Sequence, residues 1–185
     1  MFLGNIKAAI AVAVLLSVCA CTSSSTVESN KSADYNGSIK KLFLFTNLGK
    51  TLYSQSVVES TQETDPAAFV ALMRSSLESC GIAMDSFARP ADGPAHNILP
   101  QHIPLQGADA ILEISWTRER TGGQGHITDY LASLLDVQSK TVVWKATIEL
   151  KQHFKAPEEL TNALINRMKR DGLIGANCVP PKSDW

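Results

Sequence analysis

Val142-Val143-Trp144-Lys145-Ala146-Thr147-Ile148-Glu149-Leu150-Lys151 is the stretch that decides the fold class. Val142, Trp144, Ala146, Ile148 and Leu150 alternate with Val143, Lys145, Thr147, Glu149 and Lys151. A period of two marks a strand with one face buried and one face wet. Upstream, Ala110, Leu112, Ile114 and Trp116 repeat the pattern against Glu113, Ser115 and Thr117, and Ile127–Val137 continues it. Gly122-Gly123-Gln124-Gly125 marks the hairpin tip between those two strands, and Gln138-Ser139-Lys140 turns the chain into the last one. Half-wet strands in succession imply an antiparallel meander rather than a parallel sheet covered on both faces.

The flanking segments supply helices and further strands. Ile39–Phe45 ends apolar on both faces, as a central strand does. Thr64-Asp65-Pro66 starts a helix, with a capping side chain and a proline whose missing N–H costs nothing in the first turn. Phe69, Leu72, Met73, Leu77 and Cys80 form its inward stripe, and Gly81 suits the residue just past its end. Ile82–Ala88 reads as a short strand, and residues 89–106 are punctuated by proline and glycine. A second helix opens at Ala156-Pro157-Glu158-Glu159 with acids at its positive end, and closes with Arg167, Lys169 and Arg170 at its negative end. Leu160, Ala163, Leu164 and Met168 face inward, and Asp171-Gly172 stops it. The expected fold is α/β (α+β-like): a mixed, mostly antiparallel sheet of about five strands with two main helices, in the order β-α-β-β-β-β-α.

Ahead of this domain an apolar run begins near Ala8, after Lys7, and ends in Leu15-Leu16-Ser17-Val18-Cys19-Ala20-Cys21. It is too short to cross a hydrocarbon core of ~30 Å, which takes ~20 residues, and fits the apolar region of a secretory signal. Val18-Cys19-Ala20-Cys21 resembles the lipobox of bacterial lipoproteins, with an aliphatic residue at −3, a small one at −1 and then the acylated cysteine. That resemblance implies that residues 1–20 are a lipoprotein signal peptide and that Cys21 is the lipidation site and mature N-terminus. It also implies attachment to the membrane through the N-terminal lipid. Thr22 stands where an Asp would resemble an inner-membrane retention signal, so the periplasmic face of the outer membrane is the expected location. Residues 21–38, rich in Ser, Thr, Asn, Lys and Gly, read as the acylated cysteine and a flexible tether. Residues 39–185 read as a single periplasmic domain with an extended C-terminal tail.

Composition narrows the partners. Seventeen Lys and Arg face eighteen Asp and Glu, a formal net charge of −1, which argues against nucleic acid and against a polybasic membrane-surface domain. Once Cys21 is acylated and Cys19 has left with the signal, Cys80 and Cys178 are the remaining thiols, and the periplasm is oxidising. The strand and helix directions bring the end of the first helix and the segment after the second to the same side. A Cys80–Cys178 disulfide is therefore expected.

Catalytic motifs are missing from the sequence. Gly49-Lys50-Thr51 ends like a phosphate-binding loop, but Leu44 stands where its first glycine belongs. Gly-x-Ser-x-Gly, His-Glu-x-x-His and Cys-x-x-Cys do not occur. His96 and His102 lie in the proline-rich loop without a carboxylate cluster; His126 adjoins the glycine tip and His153 a strand end. The Gly122–Gly125 tip joins two strands rather than opening a helix, so it lacks the setting of a phosphate cradle. Glu113, Asp129 and Asp136 are spread along strands. The expectation is no enzyme, no metal and no cofactor.

Two further segments carry a resemblance. Gly107-Ala108-Asp109-Ala110-Ile111-Leu112 leads into a strand, and Leu134-Leu135-Asp136-Val137-Gln138-Ser139-Lys140-Thr141-Val142-Val143-Trp144 makes a hairpin. Over residues 39–172 this resembles envelope lipoproteins of the curli-secretion-channel type, lipoprotein activators of penicillin-binding proteins, and the N-terminal domain of the Tol translocation β-propeller protein. The resemblance implies a non-catalytic binding or assembly factor for an envelope complex: cell-wall synthase, secretion or transport machinery, or further copies of the chain. The sheet edge, Arg118, Arg120, Gln124 and His126 around the hairpin, and Trp185 in the Val179–Trp185 tail are the candidate contacts. The alternative is a carrier of lipid or another small apolar ligand, in a cavity lined by Phe43, Phe45 and Trp116.

Overall fold

In the computed structural model, residues 25–48, 65–88, 107–122, 125–151 and 156–181 are described. Among them the order is β1 (Ser25–Lys31), β2 (Lys41–Asn47), α1 (Pro66–Glu78), β3 (Ala83–Ala88), β4 (Ala110–Gly122), β5 (Gly125–Asp136), β6 (Thr141–Lys151) and α2 (Ala156–Arg170). The strands form one mixed sheet in the order β1-β6-β5-β4-β2-β3. β2 pairs parallel with β3 and β4, and the other neighbours are antiparallel. The fold is thus the expected mixed α/β one with one strand more.

The extra strand corrects the expected tether. Ser25–Lys31 is fully paired with β6, Ser25 opposite Leu150 and Lys31 opposite Trp144. Its alternate residues are half-buried, and Val27 packs against the core. An edge strand needs apolar contact on one face only, and a single valine supplies it here. Beyond it, Tyr35 and Ile39 are buried, so residues 32–40 close the lower end of the sheet instead of hanging free. The structured domain thus includes residues 25–38 and does not begin at Ile39.

Both helices lie on one face. α1 lies in the crossover from β2 to β3 and packs on β3; α2 lies on β1 and β6 and against α1. Between them and the sheet sit Leu42, Leu44, Phe69, Met73, Leu77, Leu112, Ile114, Leu134, Trp144, Ile148, Leu160 and Leu164. Asp65 caps α1, its carboxylate accepting from Ala67 N at 2.9 Å. Gly81 leaves the helix at φ +81°, a conformation in which a β-carbon would be strained.

The opposite, helix-free face carries a smaller apolar cluster of Phe43, Phe45, Ala108 and Ile111, and the Phe45 ring stacks on Phe87 with centroids 5.9 Å apart. This placement removes the imagined ligand cavity. Phe43 and Phe45 lie on one face of the sheet, while Trp116 packs with the helix-covered core on the other. Two irregularities also shift the period of two. The β4–β5 register slips between Trp116 and Arg118, and the β5–β6 register between Leu134 and Leu135. The second slip pairs Trp144 with Leu134 and Val142 with Leu135, so Val143 is buried and Val142 is exposed, the reverse of the simple alternation.

Asp109 explains the segment Gly107-Ala108-Asp109. Gly107 turns at φ +71°, and the Asp109 carboxylate then accepts from the backbone N–H of both Lys40 and Lys41 at 2.8 Å. Its carbonyl accepts from Val137 N at 3.0 Å. One residue therefore ties together the starts of β2 and β4 and the end of β5. The two N–H groups, followed by the Lys40 charge, hold its carboxyl below the usual carboxylate range against the effect of burial. Asp136 fixes the next turn in a similar way, accepting from Ser139 N at 2.7 Å, and Lys140 completes it at φ +56°.

Candidate interaction surface

At the lower end of the molecule α1 and α2 both finish, and the chain after α2 folds back across α1. Cys80 and Cys178 are joined there by a disulfide, 98 residues apart in sequence. The Lys169 ammonium donates to the Cys178 carbonyl at 2.7 Å, and Val179 N donates to Ser79 Oγ at 2.9 Å. The tail is thus held by a covalent bond and by polar bonds to each helix. Between it and α1 lies a groove of about 260 Å³, lined by Leu72, Ser75, Ser76, Ser79, Val179, Pro180 and Pro181. Prolines on one wall cannot donate backbone hydrogen bonds, and the serines on the other can donate and accept. Leu72, Val179 and the two prolines make most of the lining apolar, and Ser79 Oγ already accepts from Val179 N and donates to the Ser76 carbonyl.

The same end holds a half-buried polar network that sequence patterning missed. Asp171, just past α2, accepts from Trp144 Nε1 at 2.7 Å, from Arg167 Nε at 3.1 Å and from Ser29 Oγ. Its carbonyl accepts from Lys31 Nζ at 3.0 Å. Burial alone would raise the Asp171 carboxyl; the bonds from Ser29 and Trp144 and the charge of Arg167 outweigh it and hold the group below its ordinary range. The network pins β1 to the end of α2, which is why so polar a segment stays on the sheet.

A second charged cluster occupies the helix-free face near the other end. Arg118 and Arg120 both donate to Asp129, Arg120 at 3.0 Å, and Arg120 also reaches Glu149. Lys151 Nζ lies 3.4 Å from Glu149. The Asp129 side chain is only 6% exposed, whereas Arg118 is 65% exposed, so the carboxylate is the buried anchor and the first guanidinium the accessible end. Burial pushes Asp129 up, but donation from Arg120 and Arg118 keeps its carboxyl below the usual range. Glu149 is lowered first by Arg120 and then by Lys151, against burial.

The candidate contacts therefore separate. The structure brings Arg118 and Arg120 together through Asp129, and it bonds Cys80 to Cys178. The backbone of His126 pairs with Thr121 at the end of the hairpin. Cys21, Gln124 and Trp185 lie outside the described residues, as do Gly49–Thr51, His96, His102 and His153. Among the described residues no three of His, Cys, Asp and Glu are grouped to hold a metal ion, and no helix is long and apolar enough to cross a membrane. Asp109 was visible in sequence as part of a recurring strand-entry segment. Asp171 gave no signal beyond the helix stop it forms with Gly172.

No family model and no curated protein matches the chain. Among solved structures it is similar to the PelC dodecamer from Paraburkholderia phytofirmans, at 19% identity and a TM-score of 0.40 over 71% of this chain and 84% of that one. Lipoprotein GNA1162 from Neisseria meningitidis is similar at 15% identity and a TM-score of 0.41, over 70% of this chain and 96% of that one. A PDZ domain protein from Parabacteroides distasonis is similar at 10% identity and a TM-score of 0.42; the match covers 78% of this chain and 36% of that protein.

Proposed function

We propose that the chain is a non-catalytic envelope lipoprotein, anchored through Cys21 at the periplasmic face of the outer membrane, that binds a protein of an envelope complex. The observation that carries this reading is the disulfide-held tail. Cys80–Cys178 fixes residues 178–181 against α1 and gives the groove two firm walls, and such a bond belongs to an oxidising compartment. The lipobox at Val18–Cys21 agrees with that compartment. An extended segment of a cell-wall synthase or of a secretion or transport component is the kind of ligand that fits between the serine and proline walls.

Affinity capture with the full acylated chain, followed by mass spectrometry of both proteins and lipids, tests the proposal. The expected result is one stoichiometric envelope protein retained by the wild type and lost with Ser75→Arg, which fills the groove from its exposed α1 wall. Equal capture by wild type and Ser75→Arg, or recovery of lipid without protein, overturns the binding reading. The anchor is tested separately: Cys21→Ala abolishes incorporation of radiolabelled palmitate, while Cys19→Ser leaves it unchanged. Label entering the Cys21→Ala variant would remove the anchor from this account.

A further inference from the structure

The position of β1 limits how a lipid on Cys21 can hold the domain, and the argument rests on the lipidation proposed above. Ser25 is already locked in the sheet opposite Leu150. From Cys21 to Ser25 there are four Cα steps, at most about 14 Å when fully extended. A tether reaching to residue 38 would supply far more slack than these four steps can.

The level of Ser25 in the sheet is the second observation. Leu150 pairs with Thr128, and Thr128 with Glu119. Beyond that level the β4–β5 hairpin continues to the Gly122–Gly125 pair, three residues and about 10 Å further at ~3.4 Å per residue. The hairpin thus overhangs the anchoring strand by most of the length that the four steps can supply. The opposite end of the sheet, where Thr141 begins β6, is about 30 Å below Leu150 on the same scale.

We infer that the lipid anchor stands the domain on its hairpin end. The Gly122–Gly125 end of β4 and β5 and the start of β1 meet the headgroups of the leaflet that holds the acyl chains. The disulfide-held groove between α1 and the tail points away from the membrane. The hairpin end makes contact with the lipid surface without inserting: Thr121, Gly122 and Gly125 offer no large apolar side chain. The seven-residue edge of β1 is the other surface that so short a tether could lay along a bilayer. Its exposed residues Thr26, Glu28 and Asn30 offer nothing apolar and bring a carboxylate toward anionic lipid.

Site-specific photocrosslinking on the full acylated chain tests the orientation. Photoreactive benzoylphenylalanine is placed at Thr121, at Glu28 or at Ser139, and each protein is reconstituted in vesicles of phosphatidylethanolamine and phosphatidylglycerol. Phospholipid adducts are then read by mass spectrometry. The expected result is adducts from position 121, none above background from 28 or 139, and loss of the 121 adduct when a long Gly-Ser spacer is inserted after Cys21. Adducts chiefly from 28 or 139, or a 121 adduct that survives the spacer, overturn the orientation. Palmitate labelling of the same samples separates the two ideas. Labelled protein without the 121 adduct refutes the orientation alone, whereas unlabelled protein refutes the anchor on which it rests.

Discussion

Replacing Asp171 tests whether a polar β1 is held by the network at the end of α2. Asp171→Ala removes the acceptor shared by Trp144 Nε1, Arg167 Nε and Ser29 Oγ. Trp144 is 1% exposed, so its indole N–H is left buried without a partner, a loss of about 1–3 kcal/mol. Arg167 and Ser29 are half-buried and can regain water, so together they add about 1 kcal/mol. The sum, about 3 kcal/mol, lowers the melting temperature of a chain this size by about 6–12 °C. Asp171→Asn keeps one acceptor oxygen and costs less, about 1–2 kcal/mol. The pH dependence follows from the lowered carboxyl. An unfolded aspartate titrates near ~3.9, and the folded group titrates below that. Its contribution is therefore whole above the unfolded value and is lost as the pH falls through the folded one. Thermal melts of the full chain in detergent, followed by circular dichroism, should show a wild-type margin over Asp171→Asn that is flat from pH 8 to about 5 and narrows below about 4. An Asp171→Ala protein melting with the wild type, or a margin that does not narrow in acid, would refute the reasoning.

Three further outcomes are expected. Trp144→Ala, which opens a cavity between sheet and helices and also removes one of the three donors to the Asp171 carboxylate, should cost about 3–5 kcal/mol, against less than about 0.5 kcal/mol for the exposed Lys145→Ala, both read from urea unfolding midpoints. Cys80→Ser or Cys178→Ser should lower stability by up to about 4–5 kcal/mol, the entropy of closing so long a loop; mass spectrometry of the unreduced wild type should find neither thiol available to alkylation. Gly81→Ala, forced to a positive φ at the exit from α1, should cost about 1 kcal/mol in the same denaturation assay.

The meander and both helices were legible because their burial is periodic. Ala110, Leu112 and Ile114 on β4, and Ala146, Ile148 and Leu150 on β6, are all buried as the alternation requires, and Asp65 and Gly81 bound α1 as their chemistry dictates. The strand Ser25–Lys31 was not legible. Periodicity reports apolar residues, and a sheet edge that is fastened by backbone pairing and by Ser29 and Lys31 on Asp171 needs almost none. The slips near Trp116 and Leu134 were equally silent, since a register shift depends on the partner strand; hence Val142 and Val143 exchange faces. The Phe43, Phe45 and Trp116 grouping failed for a related reason: neighbouring strands can be foreseen, but which face each apolar residue takes depends on the helices. Of the candidate contacts, Arg118 and Arg120 were found as charges near a hairpin. Their shared carboxylate, Asp129, could be assigned only once the pairing of β4 with β5 set it between them.

The direction of β1 has a mechanical consequence. The strand starts at the end nearest Cys21 and runs antiparallel to β6, so tension on an anchored N-terminus acts along its axis. Hydrogen bonds between antiparallel strands lie across that axis. Such a pull therefore loads the seven-residue ladder in shear, with its bonds sharing the force, instead of peeling them one at a time. At the far end of the ladder Ser29 and Lys31 are tied to Asp171, which passes the remaining load into α2 before the strand can slide. A force that pulls the start of β1 away from the α1–α2 end of the domain would therefore act in the direction in which this edge is strongest.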